Sequence, residues 1–268
     1  MTRREYGGTL VIQVTNACPF RCPQCYAARG CTHIPVAYAE KQIDRLLRNR
    51  MGLVQLTGGE PLLYEGLFEL IPFCARRGIY TAVATSGKGL REEHIPLLRD
   101  HGVMVHLSLN GSVREVHEIT REGFEDTVAA LLRLIGEGIS CEVNWVASHS
   151  NAEDLPRLRE RCLEWGVKRI HILRKMPDAH GFLTDTPTPS QLAEIRRLVE
   201  EDPDYLCPEG CFHGLSSPCV CEAGTKTVYI SCEGTVSPCS ALRQFRYGSV
   251  GELREREAEW RSSLCVAR

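Results

Sequence analysis

Long apolar runs are missing from this sequence of 268 residues, and neither sign of charge is in large excess. Thirty-two Lys and Arg stand against 34 Asp and Glu, a formal net charge of −2. A transmembrane helix needs about 20 consecutive apolar residues, so no membrane span is expected. Without a basic stripe there is no electrostatic footprint for nucleic acid. The opening Met-Thr-Arg-Arg-Glu-Tyr-Gly-Gly has charges but no apolar segment behind them, so no secretory signal is expected. Internal repeats and low-complexity tracts are absent too. These absences predict a cytoplasmic globular protein, and the length suits one large domain with a small appendage.

Cysteine is plentiful: there are 14, about one residue in twenty. In a reducing compartment that frequency points to metal ligands or catalysis rather than disulfides. Seven of them follow Leu206: Cys207, Cys211, Cys219, Cys221, Cys232, Cys239 and Cys265. Three others stand in Cys18-Pro-Phe-Arg-Cys22-Pro-Gln-Cys25-Tyr26, directly after the apolar run 9–15. Thiolates spaced C-x3-C-x2-C on one loop can face a single iron–sulfur cube. A 4Fe-4S cluster ordinarily takes four thiolates, so three local ligands leave one iron open to a substrate or cofactor. Zinc is the competing occupant, but it favours closed four-ligand sites, often built from paired C-x2-C knuckles.

From residue 9 to 173 short apolar runs alternate with amphipathic stretches. Strands are expected at 9–15, 53–56, 79–84, 103–109, 139–146 and 168–173, and helices near 36–50, 64–77, 89–100, 124–136 and 152–165. That alternation predicts an α/β fold of right-handed βαβ units on a parallel sheet. A break rich in Pro, Thr and Asp covers 176–190, and Pro189-Ser190 opens a further helix to about residue 201. Composition then shifts to Cys, Gly, Pro and Ser. A boundary is placed there, giving residues 1–202 and 203–268. Cys74 and Cys162 in helices and Cys141 in a strand read as small core residues, and Cys31 as part of a loop.

The cysteine loop, in its place after the first strand, resembles the signature of the radical S-adenosylmethionine (SAM) superfamily. The resemblance extends over about residues 8–175 through several motifs in order. It implies a partial (β/α)6 barrel with its chemistry at the C-terminal ends of the strands. It also implies a 4Fe-4S cluster held by Cys18, Cys22 and Cys25, with SAM chelated to the open iron. Reductive cleavage of SAM would then give a 5′-deoxyadenosyl radical that abstracts a hydrogen atom. Gly58-Gly59-Glu60-Pro61 resembles the family's GGE motif, whose strand-end backbone and Glu side chain receive the SAM ammonium. Thr85-Ser86-Gly87 closes the third strand, with Ser86 toward the methionine end of SAM, where many relatives carry Asn-Gly. Ser108-Leu109-Asn110-Gly111 resembles the family's Ser-x-Asp/Asn-Gly element. The same resemblance puts Tyr26 near the adenine, Arg121 against the carboxylate, Asn144 on the ribose and the Leu173 backbone at the adenine.

In the tail, Glu233-Gly234 reads as a hairpin turn between strand-like pieces 227–231 and 235–237. A helix is expected over 251–260, ahead of Cys265. Cys221, then Gly234-x4-Cys239, resembles the twitch domain, the shortened form of the SPASM domain, which implies one auxiliary 4Fe-4S cluster. Its implied ligands are Cys221, Cys239, Cys265 and Cys219, with Cys211, Cys207 and Cys232 as rivals for the last place. A thiol near the substrate could also return a hydrogen atom; Cys232, Cys211 and Cys207 are candidates.

The texture of these motifs is nearest to the maturases of ribosomally made peptides. The alternatives are a radical SAM dehydrogenase or rearrangement enzyme acting on a small metabolite, and a non-catalytic iron–sulfur redox protein. The first strand starts by residue 9, so no separate winged-helix domain is expected ahead of it. A peptide substrate would then call on a separate leader-peptide-binding protein or bind directly. A reductant such as flavodoxin or ferredoxin is the remaining expected partner. His106, Glu142, Lys175 and Asp178 are general-base candidates without rank.

Overall fold

The structure is a computed structural model that describes residues 8–47, 52–177, 183–209 and 221–261. Strand and helix alternate through β1 (Thr9–Thr15), α1 (Val36–Leu47), β2 (Leu53–Gly58), α2 (Leu67–Ala75), β3 (Tyr80–Thr85), α3 (His94–Asp100) and β4 (Met104–Ser108). They continue through α4 (Arg114–Thr120), α5 (Phe124–Gly136), β5 (Cys141–Ala147), α6 (Leu155–Trp165), β6 (Ile170–Arg174) and α7 (Pro189–Glu201). Then come β7 (Leu206–Pro208), β8 (Thr227–Ile230), β9 (Val236–Ser237), α8 (Val250–Glu255) and α9 (Glu257–Arg261). Helix α7 starts where Pro189 predicts, with Thr188 and Gln191 forming a reciprocal capping box.

The strands form one sheet in the order β7-β6-β5-β4-β3-β2-β1-β8-β9. Every pairing is parallel except β8 with β9. Strands β1 to β6 are added in sequence order, each next to the last. Right-handed crossovers between such strands put all the helices on one face, leaving the other face inside a partial barrel. The expected six strands are all present, but among the described residues the sheet has nine. Of the three further strands, β8 and β9 are the strand-like pieces expected on either side of Glu233-Gly234. The third, β7, is unexpected because it is three residues ending in proline. Both β7 and β8 lie beyond residue 202, and each extends one edge of the barrel sheet.

Side chains on paired parallel strands share a face, and faces alternate along each strand. Ile12, Leu56, Val83, Val105, Cys141, Val143, Ile170 and Ile230 point to the helices, each at most 1% exposed. The opposite face carries Gln13, Gln55, Thr57, His106, Ser108, Glu142, Asn144, His171 and Tyr229, aligned by the register Gln13↔Thr57, His106↔Glu142 and Asn144↔His171. The lumen is therefore polar and the helix layer apolar. Cys74, Cys141 and Cys162 are buried in the core, as their positions predict.

The tail is fastened to this frame at several points. Strand β8 runs beside β1, the Tyr38 hydroxyl donates to the Gly234 carbonyl at 2.7 Å, and Gly234 turns the β8–β9 hairpin at φ +85°. Trp260 is 1% exposed, lies against Gly224 and donates its indole N–H to the Leu253 carbonyl at 3.1 Å. Removing a buried Trp side chain costs about 3–5 kcal/mol. Trp260→Ala is expected to lower unfolding stability by that amount in chemical denaturation. A loss below about 1 kcal/mol would mean that the tail is not anchored through this ring.

Candidate functional site

The cysteine loop leaves the end of β1 and is tied at its neck. Thr15 Oγ1 accepts from the Ala17 N–H at 3.0 Å and donates to the Thr32 carbonyl at 3.2 Å. Asn16 Oδ1 accepts from the Thr32 N–H at 2.7 Å, and Thr15 bridges His33 in antiparallel fashion. Within the loop the Cys25 N–H reaches the Cys22 carbonyl at 3.1 Å. The segment between α4 and α5 supports it: the Arg21 N–H donates to Glu122 at 2.9 Å, and the Glu122 N–H points at Cys22 Sγ at 3.5 Å. Backbone donors of this kind set the electronic properties of a cluster sulfur. Partial desolvation, with Glu60, Cys22 and Cys25 nearby, pushes the Cys18 thiol up to about 11 against the opposing Phe20 backbone bond.

Zinc needs ligand atoms about 3.3–3.8 Å apart. Among the described residues, the one group of His, Cys, Asp or Glu side chains that offers three ligand atoms within 4.8 Å is His106, Glu142 and His171. The Cys22 and Cys25 thiols lie near enough to act on the charge of Cys18, as three ligands of one cluster must.

Gly58 and Gly59 end β2 in close contact with this loop. The Gly59 N–H donates to the Thr15 carbonyl at 2.7 Å and the Glu60 N–H to the Ala17 carbonyl at 2.8 Å. A Cβ on Gly59 would stand 2.2 Å from the Ala17 carbonyl oxygen, and one on Gly58 2.6 Å from that of Thr15. Glycine is required here by the approach of two backbones, not by an unusual dihedral angle.

Glu60 is fully buried. Its Oε1 accepts from the Leu62 N–H at 3.0 Å and the Thr85 hydroxyl at 2.5 Å; its Oε2 accepts from the Ser86 N–H at 2.8 Å and the Ser86 hydroxyl at 2.5 Å. Burial pushes its pKa upward, and these four hydrogen bonds oppose the shift. The structure thus brings Glu60 and Ser86 together, and each engages the other. Asn110 is also committed internally: its amide N–H donates to Thr120 at 2.8 Å and its Oδ1 accepts from the Val146 N–H at 3.1 Å.

Ser108 and Asn144 are paired neighbours on the lumen face, Ser108 at the end of β4 and Asn144 within β5. Ser108 is half-buried. Leu173 lies next to Val146 near the end of β6. Arg121 stands just past α4, and its Nε is buried with no hydrogen-bond partner. An orphaned buried guanidinium donor suits an anionic group such as a carboxylate. Arg121 is close enough to Tyr26 to act on its hydroxyl charge. Tyr26 lies near Cys25 and Cys239, and burial raises its pKa first and foremost.

Sequence reasoning missed Arg243. Its guanidinium covers the Tyr26 ring at 4.2 Å, and its Nη1 donates to the Tyr26 carbonyl at 2.8 Å, across 217 positions of sequence. It also missed His171 and Glu209. The only local signal for His171 was its place two residues before Leu173 on the same face. Of the general-base candidates, Lys175 is buried beside Asp185 at 3.5 Å, and Asp178 lies outside the described residues.

In the tail, the Gly224 N–H donates to the Thr227 and Pro238 carbonyls, both at 2.8 Å, which sets the Cys221 turn beside the Cys239 segment. Both sulfurs belong to half-buried residues packed on the core. Cys232 is buried just past β8, and Cys207 lies in β7 near Glu209 and Glu142. Cys211, Cys219 and Cys265 lie outside the described residues.

The fold and the loop together define an α/β partial-barrel protein with a three-cysteine loop at the first strand end. Residues 12–162 match the radical SAM superfamily, and the chain belongs to it. It is 26% identical over 261 residues to a PqqA peptide cyclase of Ruegeria pomeroyi, with 87% of this chain and 67% of that protein covered. It is 27% identical to the PqqA peptide cyclase of Gluconobacter oxydans, with 87% and 70% covered. Among solved structures, SuiB of Streptococcus suis bound to S-adenosylmethionine superposes with a TM-score of 0.77 at 19% identity, covering 92% of this chain and 64% of that one. SuiB has also been solved with its precursor peptide SuiA. Native anSMEcpe with bound AdoMet superposes with a TM-score of 0.70 at 19% identity, covering 90% and 78%. The chain thus spans about two thirds of the length of the first of these relatives.

Glu60→Gln is expected to lower stability by about 2 kcal/mol without any ligand, because its amide group would face a fixed backbone donor at one of the two oxygen positions. The check is the denaturation midpoint of the SAM-free protein. An unchanged midpoint with weakened SAM binding would make Glu60 a ligand-binding group instead of a brace.

Proposed function

We propose that this chain is a radical SAM enzyme that modifies a ribosomally synthesised peptide by cross-linking, epimerisation or oxidation. The observation that carries the reading is the three-cysteine loop pinned against the Gly58-Gly59 strand end at the mouth of a polar lumen. The peptide class rests on the named activity of the PqqA peptide cyclases and on the SuiB complex with SuiA.

Cys18, Cys22 and Cys25 hold a 4Fe-4S cluster in this reading. When bound, the cluster and SAM supply a 5′-deoxyadenosyl radical for hydrogen abstraction. The chain's own residues bind and orient. The Gly58-Gly59 backbone closes one side of the SAM site. Ser108 and Asn144 offer polar groups along the lumen, Arg121 an unpaired cationic donor, Tyr26 a ring and the Leu173 strand end a backbone edge. Glu60 and Asn110 hold strand ends in place through their internal hydrogen bonds. Ser86 stands at the third strand end, where it is bonded to Glu60, and is the candidate for the methionine end of SAM.

Residues 203–268 form a twitch-like unit in this proposal. Cys221 and Cys239, with Cys219 and Cys265, hold one auxiliary 4Fe-4S cluster suited to taking up the electron left by a two-electron oxidation. Cys232 is the hydrogen donor if the reaction is an epimerisation: burial raises its pKa, which keeps the S–H intact. Cys211 is the second candidate. The enzyme works in the cytoplasm with a flavodoxin or ferredoxin as reductant, and its peptide is held directly or through a separate leader-peptide-binding protein. Among the described residues no helix is long and apolar enough to cross a membrane.

The test is anaerobic incubation with SAM, reductant and a short peptide encoded beside the gene, in deuterated water, read by mass spectrometry. Peptide cross-linking or dehydrogenation removes about two mass units, and epimerisation adds about one. An unchanged peptide alongside steady 5′-deoxyadenosine release would transfer the reading to a small metabolite. SAM binding without cleavage would leave an iron–sulfur redox protein.

The auxiliary cluster has its own check. With Cys18, Cys22 and Cys25 all changed to Ala, anaerobically purified protein is expected to retain about four irons per chain. Loss of all iron from a folded variant would remove the auxiliary cluster from the proposal.

A further inference from the structure

A second set of ligand-type side chains lies deeper in the lumen, apart from every cysteine assigned above to a cluster. His106 on β4 and Glu142 on β5 stand two residues before Ser108 and Asn144, and His171 on β6 pairs with Asn144. Two residues of strand correspond to about 7 Å, so His106 and Glu142 lie below the proposed SAM site, with His171 paired at the level of Asn144.

Its geometry is convergent. His171 Nε2 bonds Glu142 Oε2, and His106 Nε2 lies 3.5 Å from the same oxygen. The two imidazoles stack in parallel, with centroids 4.9 Å apart and planes 8° apart. The His171 ring is also held from its other side, with Nδ1 2.9 Å from Glu209 Oε1. The Asn144 side chain lies beside His106. Arg169 Nε is 3.3 Å from the other Glu142 oxygen.

An imidazole–carboxylate pair that only braces two strands needs one histidine. Here a second is stacked on the first, with its Nε2 buried and without a hydrogen bond. Buried polar atoms are ordinarily satisfied. Two nitrogens and one carboxylate oxygen within 4.8 Å are the donor set of a His2Glu site. Side-chain rotation has to unstack the two parallel imidazoles, whose lone pairs lie in their ring planes, and close those separations to about 3.3 Å for tetrahedral zinc. Glu209 on His171 reproduces the carboxylate that orients a metal-bound histidine from behind.

We propose that His106, Glu142 and His171 bind one divalent transition-metal ion in the barrel lumen, with Glu209 and Asn144 orienting the two imidazoles. The ion takes the place of the proton between His171 and Glu142. Three protein ligands leave a fourth position for water or a substrate oxygen, so the site would act as a Lewis acid that holds substrate beneath the SAM layer.

The test uses the full chain with its cysteines loaded with iron and sulfide, dialysed to equilibrium against Zn2+ and read by elemental analysis. One zinc per chain is expected in addition to the cluster iron. His106→Ala and Glu142→Gln should abolish it at unchanged iron content, and Glu209→Gln should weaken it about 10- to 100-fold. Zinc retained in full by both ligand variants would overturn the proposal, as would no zinc in the parent chain; His171 would then be an imidazolium shared by Glu142 and Glu209. X-ray absorption of the zinc in the parent chain needs no variant to fold. A shell of nitrogen and oxygen with imidazole scattering supports the site, and a sulfur shell rejects it.

Discussion

A carboxyl group with no exposure to solvent holds the mouth of the barrel together. Glu60 lies where β2 ends and binds the start of the next turn through Leu62 and the end of β3 through Thr85 and Ser86. Burying such a group without partners costs several kcal/mol, so strand ends that failed to meet here would be penalised. One residue earlier, Gly59 lies so close to Ala17 that no side chain fits. The start of the cysteine loop is therefore positioned by the same turn that positions Glu60. Because all four lone-pair positions of the carboxylate are occupied, its main contribution is to geometry.

The sheet divides structure from chemistry by the parity of its residues. One face meets the helices with residues such as Ile12, Leu56, Val83 and Ile170, none more than 1% exposed. The other presents Gln, Thr, Ser, Asn, His and Glu to the lumen. A one-residue slip in any strand would exchange the faces, burying polar groups among the helices, so the fold enforces its own register. Polar residues inside a barrel need partners, and they find them laterally. His106 with Glu142 and His171, and Tyr229 with Gln13 at 2.8 Å, are cross-strand pairs of this kind.

Much of this arrangement was legible in the sequence because it is periodic or local. Six strands and their helices follow from alternation, and the cysteine loop and Gly58-Gly59-Glu60 follow from spacing. Other features had no local signal. Arg243 and Tyr26 are 217 positions apart, and nothing near either residue announces the contact. Strand β7 is three residues with a proline, and it becomes a strand only because β6 offers an edge. Glu60 and Asn110 could be read as ligands from their motifs, yet the number of internal hydrogen bonds each makes is a tertiary property. His171 was invisible for the same reason: its meaning comes from Glu142 and Glu209, which stand on different segments of the chain.

The tail bears on the cysteine loop through three contacts of different character. Strand β8 shares its hydrogen-bond ladder with β1, the strand that delivers the loop. Arg243 covers the Tyr26 ring and binds its carbonyl, fixing the residue directly after Cys25. Cys239 is near enough to Tyr26 for its charge to act there. A half-buried guanidinium over an aromatic ring gains from cation–π attraction and excludes water at once. If the tail were loosened, the loop would lose an edge partner and a cover together, and the sulfur of Cys25 would be more open to solvent. Solvent exposure and hydrogen bonding to sulfur are what set the potential of an iron–sulfur cluster. The loop at residues 18–25 and Cys239 thus share one electrostatic environment, even though a composition break separates them in sequence.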